Sequence, residues 1–261
     1  MRRRLVVLLG LAVLLLPGLA RAAGCAPIAS AAPRVWLASA EDVPGALTIT
    51  FLGHASFLIE TPGGVTAVTD YNGVNVPDFP PDIATMNHAH ATHYTDHPDP
   101  RIRYVLHGWR DDGGPADIDL AVGDMHVTNL PTNIRDGEGG TERYGNSIFV
   151  FASAGLCIAH LSHLHHLLEP QDLAALGRID IVMAPVDGAY TLSLADLATV
   201  LEQIQPRVVL PMHYFMHGVL ERFLAAERDK FAIDERESPT LHISRATLPE
   251  RPTIIALPGG Y

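Results

Sequence analysis

The chain has 261 residues, 18 of them Lys or Arg and 29 Asp or Glu, for a formal charge of −11, with two cysteines and fourteen histidines. So acidic a surface repels phosphate backbones, which argues against nucleic acid and anionic membrane surfaces as partners and leaves a small-molecule substrate as the expected one. Two cysteines without Cys-x-x-Cys spacing exclude a thiolate zinc site, so any metal must be held by imidazole.

Met1-Arg2-Arg3-Arg4, the apolar run Leu5 to Leu16 and Pro17-Gly18-Leu19-Ala20-Arg21-Ala22 make the charged head, apolar core and small-residue cleavage site of an export signal over residues 1–22. The run is about a dozen residues, short of the roughly 20 that cross a bilayer, so no transmembrane segment is expected. The mature protein is expected to be periplasmic or secreted. The signal holds four of the arginines and no acid, leaving a mature formal charge of 14 minus 29, or −15. Residues 23–46 form an alanine-rich leader, and 47–261 read as one domain because no Ser/Gly linker or charge block divides them. Ala22-Ala23-Gly24-Cys25 resembles a lipoprotein box with Ala in place of the usual Leu, so lipid anchoring at Cys25 is one alternative. Cys25 paired with Cys157, or Cys157 as a small buried hydrophobe in Leu156-Cys157-Ile158, are the others.

Leu47 to Leu52 and Ser56 to Thr61 alternate apolar with polar or β-branched residues around Gly53-His54 and predict paired strands, with a third over Val65 to Thr69 after Pro62-Gly63-Gly64. Ile83 to Met86 is a short buried strand that ends where the first histidine run begins. Further strands are predicted at 104–107, 117–121, 124–130, 147–152 and 156–161. The rhythm then changes: a helix over Glu169 to Gly177, a strand over Ile179 to Ala184, a helix over Leu192 to Ile204 with Ser193 as N-cap, and a strand over Val208 to Met212 ending on His213. A helix over Met216 to Glu227 and strands near 240–244 and 253–257 complete the chain. Meandering strands followed by alternation of strand and helix predict an α/β fold with two sheets sandwiched between helices. Loops 71–82, 108–116 and 132–146 are the expected cleft walls, with Asp136-Gly137-Glu138-Gly139-Gly140 as a lid or long turn.

Seven histidines crowd into Asn87-His88-Ala89-His90-Ala91-Thr92-His93 and His160-Leu161-Ser162-His163-Leu164-His165-His166. On an extended loop His88 and His90 project to one side and His93 can swing to the same ion or to a neighbour, a set of imidazoles that suits zinc. Further motifs follow in order: Phe51-Leu52-Gly53-His54-Ala55-Ser56-Phe57, Thr69-Asp70, Ala184-Pro185-Val186-Asp187-Gly188 and Pro211-Met212-His213-Tyr214. Together with the histidine runs they resemble the metallo-β-lactamase-fold hydrolases, closest to the branch with lactonase-like and N-acyl phosphatidylethanolamine phospholipase D-like enzymes. The resemblance implies a four-layer αββα sandwich and makes His88 and His90 ligands of a first metal and His93 and His213 ligands of a second.

Three departures alter that expectation. Thr92 stands where the family carries Asp, Ser162-His163 where it carries Gly and a metal-bridging Asp, and Asn133 where it carries a further His. Two divalent cations a few ångströms apart need a bridging carboxylate, and an imidazole cannot serve. One ion, zinc or another divalent metal, is therefore expected, on a subset of His88, His90, His93, His163 and His213. Asp96 and Asp187 are candidates to restore a carboxylate or to move a proton. His54, Asp70, Thr92 and His166 are expected to support the ligands, with His54 either orienting a ligand, bound to Asp70, or only a turn residue. Metal-activated water attacking an ester, lactone, amide or phosphodiester is the expected chemistry, and no Gly-x-Ser-x-Gly elbow suggests a serine hydrolase instead. The alternatives are a non-catalytic metal buffer or sensor, suggested by the surplus imidazoles, and redox chemistry at iron, for which carboxylate partners are not identifiable.

Overall fold

A computed structural model describes Cys25, residues 45–136, Glu138 and residues 140–259. The signal at 1–22 and, Cys25, Gly45 and Ala46 apart, the leader at 23–46 lie outside the described residues. Seventeen elements follow in order: β1 Leu47–Gly53, β2 Ser56–Glu60, β3 Thr66–Val68, β4 Ile83–Met86, β5 Tyr104–His107, β6 Asp119–Val122, β7 Met125–Arg135, β8 Thr141–Ser153, β9 Leu156–His160, α1 Pro170–Leu176, β10 Ile181–Pro185, α2 Leu194–Ile204, β11 Val208–Met212, α3 His217–Glu227, β12 Ala232–Glu235, β13 Thr240–Ile243 and β14 Thr253–Ala256.

They build a six-stranded sheet, β13-β1-β2-β3-β4-β5, and an eight-stranded sheet, β12-β14-β11-β10-β9-β8-β7-β6. In β1 the alternation is realised, with Leu47, Ile49 and Phe51 buried and the residues between them half-buried. In the eight-stranded sheet β9, β10 and β11 are buried at every position, as parallel strands covered on both faces must be, and their sequences are correspondingly apolar throughout. One core joins both sheets through Phe57, Phe149 and Phe151, each almost wholly buried. Removing one such ring costs about 3–5 kcal/mol.

Among the described residues, all three helices follow one strand of the eight-stranded sheet and precede another. Ser193 caps α2 by accepting from the Asp196 N–H, and α1 starts with Glu169 as N-cap and Pro170 in its first turn and stops at Gly177, whose positive φ of 64° suits a glycine. The parallel crossovers of the six-stranded sheet, 69–82 and 87–103, carry no helix among the described residues. They cover its outer face with a small cluster of Leu58, Val68, Tyr71, Ala84, Met86 and Ile102.

Three features differ from the expectations. The segment 132–146, expected as a loop, is largely the continuation of β7 and β8 in a long hairpin, with a bulge between Thr132 and Ile134. Strand β12, which has no marked alternation, pairs in parallel with β14 and was not expected. Cys157 is not a free thiol: it forms a disulfide with Cys25, whose carbonyl accepts the Arg178 N–H at 3.0 Å.

Candidate metal centre

The parallel strands β4, β9, β10 and β11 end at one rim, and the residues after those ends, together with the β1–β2 turn and the residue after β3, carry the chemistry. This is where open α/β sheets place their sites. His54 sits in the turn, Asp70 follows β3, His90 and His93 follow β4, Ser162 and His163 follow β9, Asp187 follows β10 and His213 follows β11. Four of them, His54, Asp70, Ser162 and His213, have φ between 42° and 57°. A non-glycine residue held there stores on the order of 1–3 kcal/mol, a cost that concentrates at working sites.

His54, His90, His93 and His213 each present a ring nitrogen, and these nitrogens all lie within 4.8 Å of one another. His163 stands beside them, its ring 5.0, 5.2 and 5.1 Å from those of His90, His93 and His213. The orientation is fixed from behind. His93 donates from Nδ1 to the Asp70 carboxylate at 2.5 Å and His213 donates from Nδ1 to Asp187 at 3.1 Å, so each turns its Nε2 into the shared space. Both Nε2 atoms, and both ring nitrogens of His163, are buried without a hydrogen-bond partner. A buried polar atom without a partner costs about 1–3 kcal/mol, so the four orphaned nitrogens of His93, His163 and His213, gathered in one place, mark a site built for a ligand. Four imidazoles within reach of one centre match the donors and spacing of a divalent ion such as zinc.

Asp70 is wholly buried and also accepts from Ser162 Oγ at 2.7 Å and Asn87 Nδ2 at 3.1 Å. Burial alone would raise its carboxyl, but His93, His160 and the hydrogen bonds from His93 and Ser162 more than reverse this, and it stays ionised below the usual carboxylate range. Asp187 accepts from the Ala189 and Tyr190 N–H groups and the Thr191 hydroxyl as well as from His213, and these bonds likewise overcome burial. Burial, then the neighbouring imidazoles, push His54 down to about 3 and His90 to about 4, and lower His163 and His213 for the same first reason. These shifts favour the neutral form of His54, His90, His163 and His213, whose lone pairs are then available to a cation.

Several expected site residues lie where the sequence did not indicate. His54, expected as support or a turn residue, is in the cluster itself. His88, expected as a ligand, turns away: its ring stacks on Trp109 at 5.1 Å and its Nδ1 meets Glu142 Oε1 at 3.1 Å. Thr92, expected as support, lies beside the cluster, its hydroxyl reaching His54 Nε2 at 2.8 Å and His90 Nδ1 at 2.7 Å. Asp96 is exposed, outside the cluster, and acts on His107 instead. Asp187, a candidate to restore a carboxylate or move a proton, meets the cluster through His213 Nδ1, its other bonds going to Ala189, Tyr190 and Thr191. His166 accepts the Asn133 N–H at Nε2 while His165 donates from Nδ1 to the Asn133 carbonyl, so this pair clamps the bulge of β7. His160 donates to the Ala55 carbonyl, and His126, His217 and His242 engage Asp119, Glu221 and Thr48 away from the centre.

Asn87 and Asn146 were not singled out in the sequence, and Ser162 only as a departure from the family's Gly, not as a partner of Asp70. Asn87 joins Asp70 to the Ser147 N–H, and Asn146 accepts the His163 N–H at 3.1 Å while donating to the Leu161 carbonyl. Asn87 and Ser162 stand directly before His88 and His163 just past strand ends, whereas Asn146 lies inside β8 with no such signal.

A family profile described as the beta-lactamase superfamily domain matches residues 48–213, from β1 through every histidine of the cluster. A UPF0173 metal-dependent hydrolase of Archaeoglobus fulgidus is 26% identical over 206 residues, covering 67% of this chain and 87% of the relative. A second of that name, from Carboxydothermus hydrogenoformans, is 24% identical and covers 70% and 92%. Among solved structures, a candidate Zn-dependent hydrolase of the metallo-beta-lactamase superfamily from Thermotoga maritima superposes with a TM-score of 0.61 at 22% identity, over 82% of this chain and all of the other. The fold does not fix the reaction, since a diiron β-hydroxylase from Streptomyces venezuelae shares it with a TM-score of 0.54 at 12% identity, over 78% of this chain and 55% of the other. By the extent of the profile match, this chain belongs to the beta-lactamase superfamily and carries the metallo-β-lactamase fold.

Proposed function

We propose that the chain is an exported metal-dependent hydrolase of a small molecule, holding one zinc ion on His54, His90, His93 and His213. The observation that carries this is the pair of buried, partnerless Nε2 atoms on His93 and His213, each backed by an ionised carboxylate. The relatives' name as metal-dependent hydrolases agrees with it. A bound divalent ion supplies an acidified water and a polarising charge for an ester, lactone, amide or phosphodiester. Asp70 and Asp187 hold the His93 and His213 rings in one tautomer, and Thr92 ties His54 to His90. His163, neutral and with both nitrogens free, faces the same space and is the group placed to exchange a proton with the reacting water or leaving group. His90 is exposed, so the cluster opens to solvent on its side.

One ion suits this site better than two. The bridging carboxylate is replaced by His163, His88 has turned to Glu142, and the convergent ligand set is all imidazole, with no carboxylate in it to bridge a second cation. The Cys25–Cys157 disulfide supports an oxidising compartment and occupies the sulfur that lipid anchoring at Cys25 would require. The test is chelator stripping and zinc restoration against a panel of esters, lactones and phosphodiesters. Hydrolysis should vanish, return with zinc, and be absent in His93→Ala; undiminished activity of the stripped protein refutes the proposal.

The convergence of four imidazoles also favours a second reading, because four ligands can close a tetrahedral shell and leave a non-catalytic metal buffer or sensor. Cobalt-loaded protein separates the two. A visible spectrum that shifts on adding azide shows an open position, and one that does not move shows a closed shell.

A further inference from the structure

We propose that the cavity between the loop after β5 and the start of β8 is a subsite for a carboxylate-bearing part of the substrate. It holds about 330 Å³ and is walled by His88, Trp109, Arg110, Glu142, Arg143 and Tyr144. That volume is at the lower end of small-molecule sites. The loop that carries His90 into the histidine cluster presents His88 to this cavity, and the His88 N–H is bonded to the Gly145 carbonyl at 3.0 Å, so cavity and cluster share one piece of backbone.

The charge pattern selects the occupant. Glu142 is engaged by His88, and Arg110 is neutralised by a salt bridge to Asp112 at 2.5 Å. Asp111, the remaining acid of the wall, is exposed to solvent. Arg143 has no carboxylate partner among the described residues. Its guanidinium rests on Tyr144, 5.3 Å from the ring centroid and 3.3 Å from the hydroxyl. The fork of donors best matched to a carboxylate is therefore the one left open.

The wall is also built rather than incidental. Tyr144 is held at φ 59°, where a bulky residue is strained, and its N–H donates to Asn133 Oδ1 at 3.1 Å. Asn133 is in turn clamped by His165 and His166 at the β7 bulge, a device that re-aims side chains beside active sites. The second histidine run thus serves both places: His163 faces the cluster, and His165 and His166 brace the cavity.

Calorimetric titration of phenylacetate and of its neutral isostere phenylacetamide, into metal-free and zinc-loaded protein, tests this. Phenylacetate should bind both forms at least tenfold more tightly than the amide. Arg143→Ala should abolish that preference and Arg143→Lys should keep part of it, with melting temperature and zinc content unchanged because Arg143 is exposed. Absence of phenylacetate binding, equal binding of the amide, or an unaffected Arg143→Ala overturns the proposal. So does binding confined to the zinc-loaded form, which would put the carboxylate on the metal. The link to hydrolysis rests on the proposed function, but the binding does not: protein that binds phenylacetate and no zinc would refute that function and leave the subsite standing.

Discussion

Asp70→Asn is the sharpest perturbation of the centre because it keeps the shape and changes only what the site can accept. The carboxylate takes three donors, from His93, Ser162 and Asn87, in a position with no solvent access. An amide offers one acceptor oxygen and turns an NH₂ toward the rest, so at least one buried donor loses its partner at about 1–3 kcal/mol, and the surviving bonds lose the strength of a charged acceptor. Relief from burying the charge offsets part of this, leaving a net destabilisation of about 1–3 kcal/mol in the metal-free protein. The larger consequence is for His93, whose Nδ1–H no longer has a fixed acceptor, so its Nε2 is no longer held toward the cluster. Loss of such a backing carboxylate costs about 10–100-fold in metal affinity. Urea unfolding of the metal-free variant and competition against a chromophoric chelator read the two effects separately. Zinc affinity within threefold of the parent would show that Asp70 does not position a ligand.

Acid should weaken the metal-free protein well before its carboxylates titrate. His54 and His163 have native pKa values far below the 6.5 of the unfolded chain, so between pH 6.5 and about 3 the unfolded state binds more protons and stability falls as pH falls. Their combined loss at pH 5.5 is on the order of 2 kcal/mol, to be read from urea midpoints at pH 7.5 and 5.5; equal midpoints would contradict the buried, neutral cluster. The contribution of Asp70 and Asp187 has the same sign at a lower pH, present above the ordinary carboxylate range and lost only as pH falls below it. The disulfide spans 132 residues, for which loop-closure entropy gives up to about 5 kcal/mol. Cys157→Ser should lower the urea midpoint accordingly, and mass spectrometry of the mature parent should show an unlipidated Cys25 bonded to Cys157; a lipidated Cys25 would refute the pairing.

The order of strands, the caps at Ser193 and Gly177 and the rim position of both histidine runs were legible because each rests on local chemistry: alternation, a capping hydroxyl, a glycine at positive φ. The ligand set was less so. His88 and His90 are equivalent in spacing, and what separates them is the ring of Trp109 and the carboxylate of Glu142, brought to His88 by strands distant in sequence. His54 reads as a turn residue until the left-handed backbone of the β1–β2 turn aims it across to His213. The acids behaved similarly. Asp96 is near His93 in sequence and outside the cluster in space, whereas Asp70, 23 residues before His93, is its direct partner. Long-range pairing, and not composition, decided these assignments.

Metal stoichiometry in the parent and in His88→Ala tests the central claim most directly. Elemental analysis of both proteins after zinc loading should give one ion per chain in each, because His88 lies outside the centre. Two ions per chain in the parent, or loss of the ion in His88→Ala, would contradict a single ion held by His54, His90, His93 and His213.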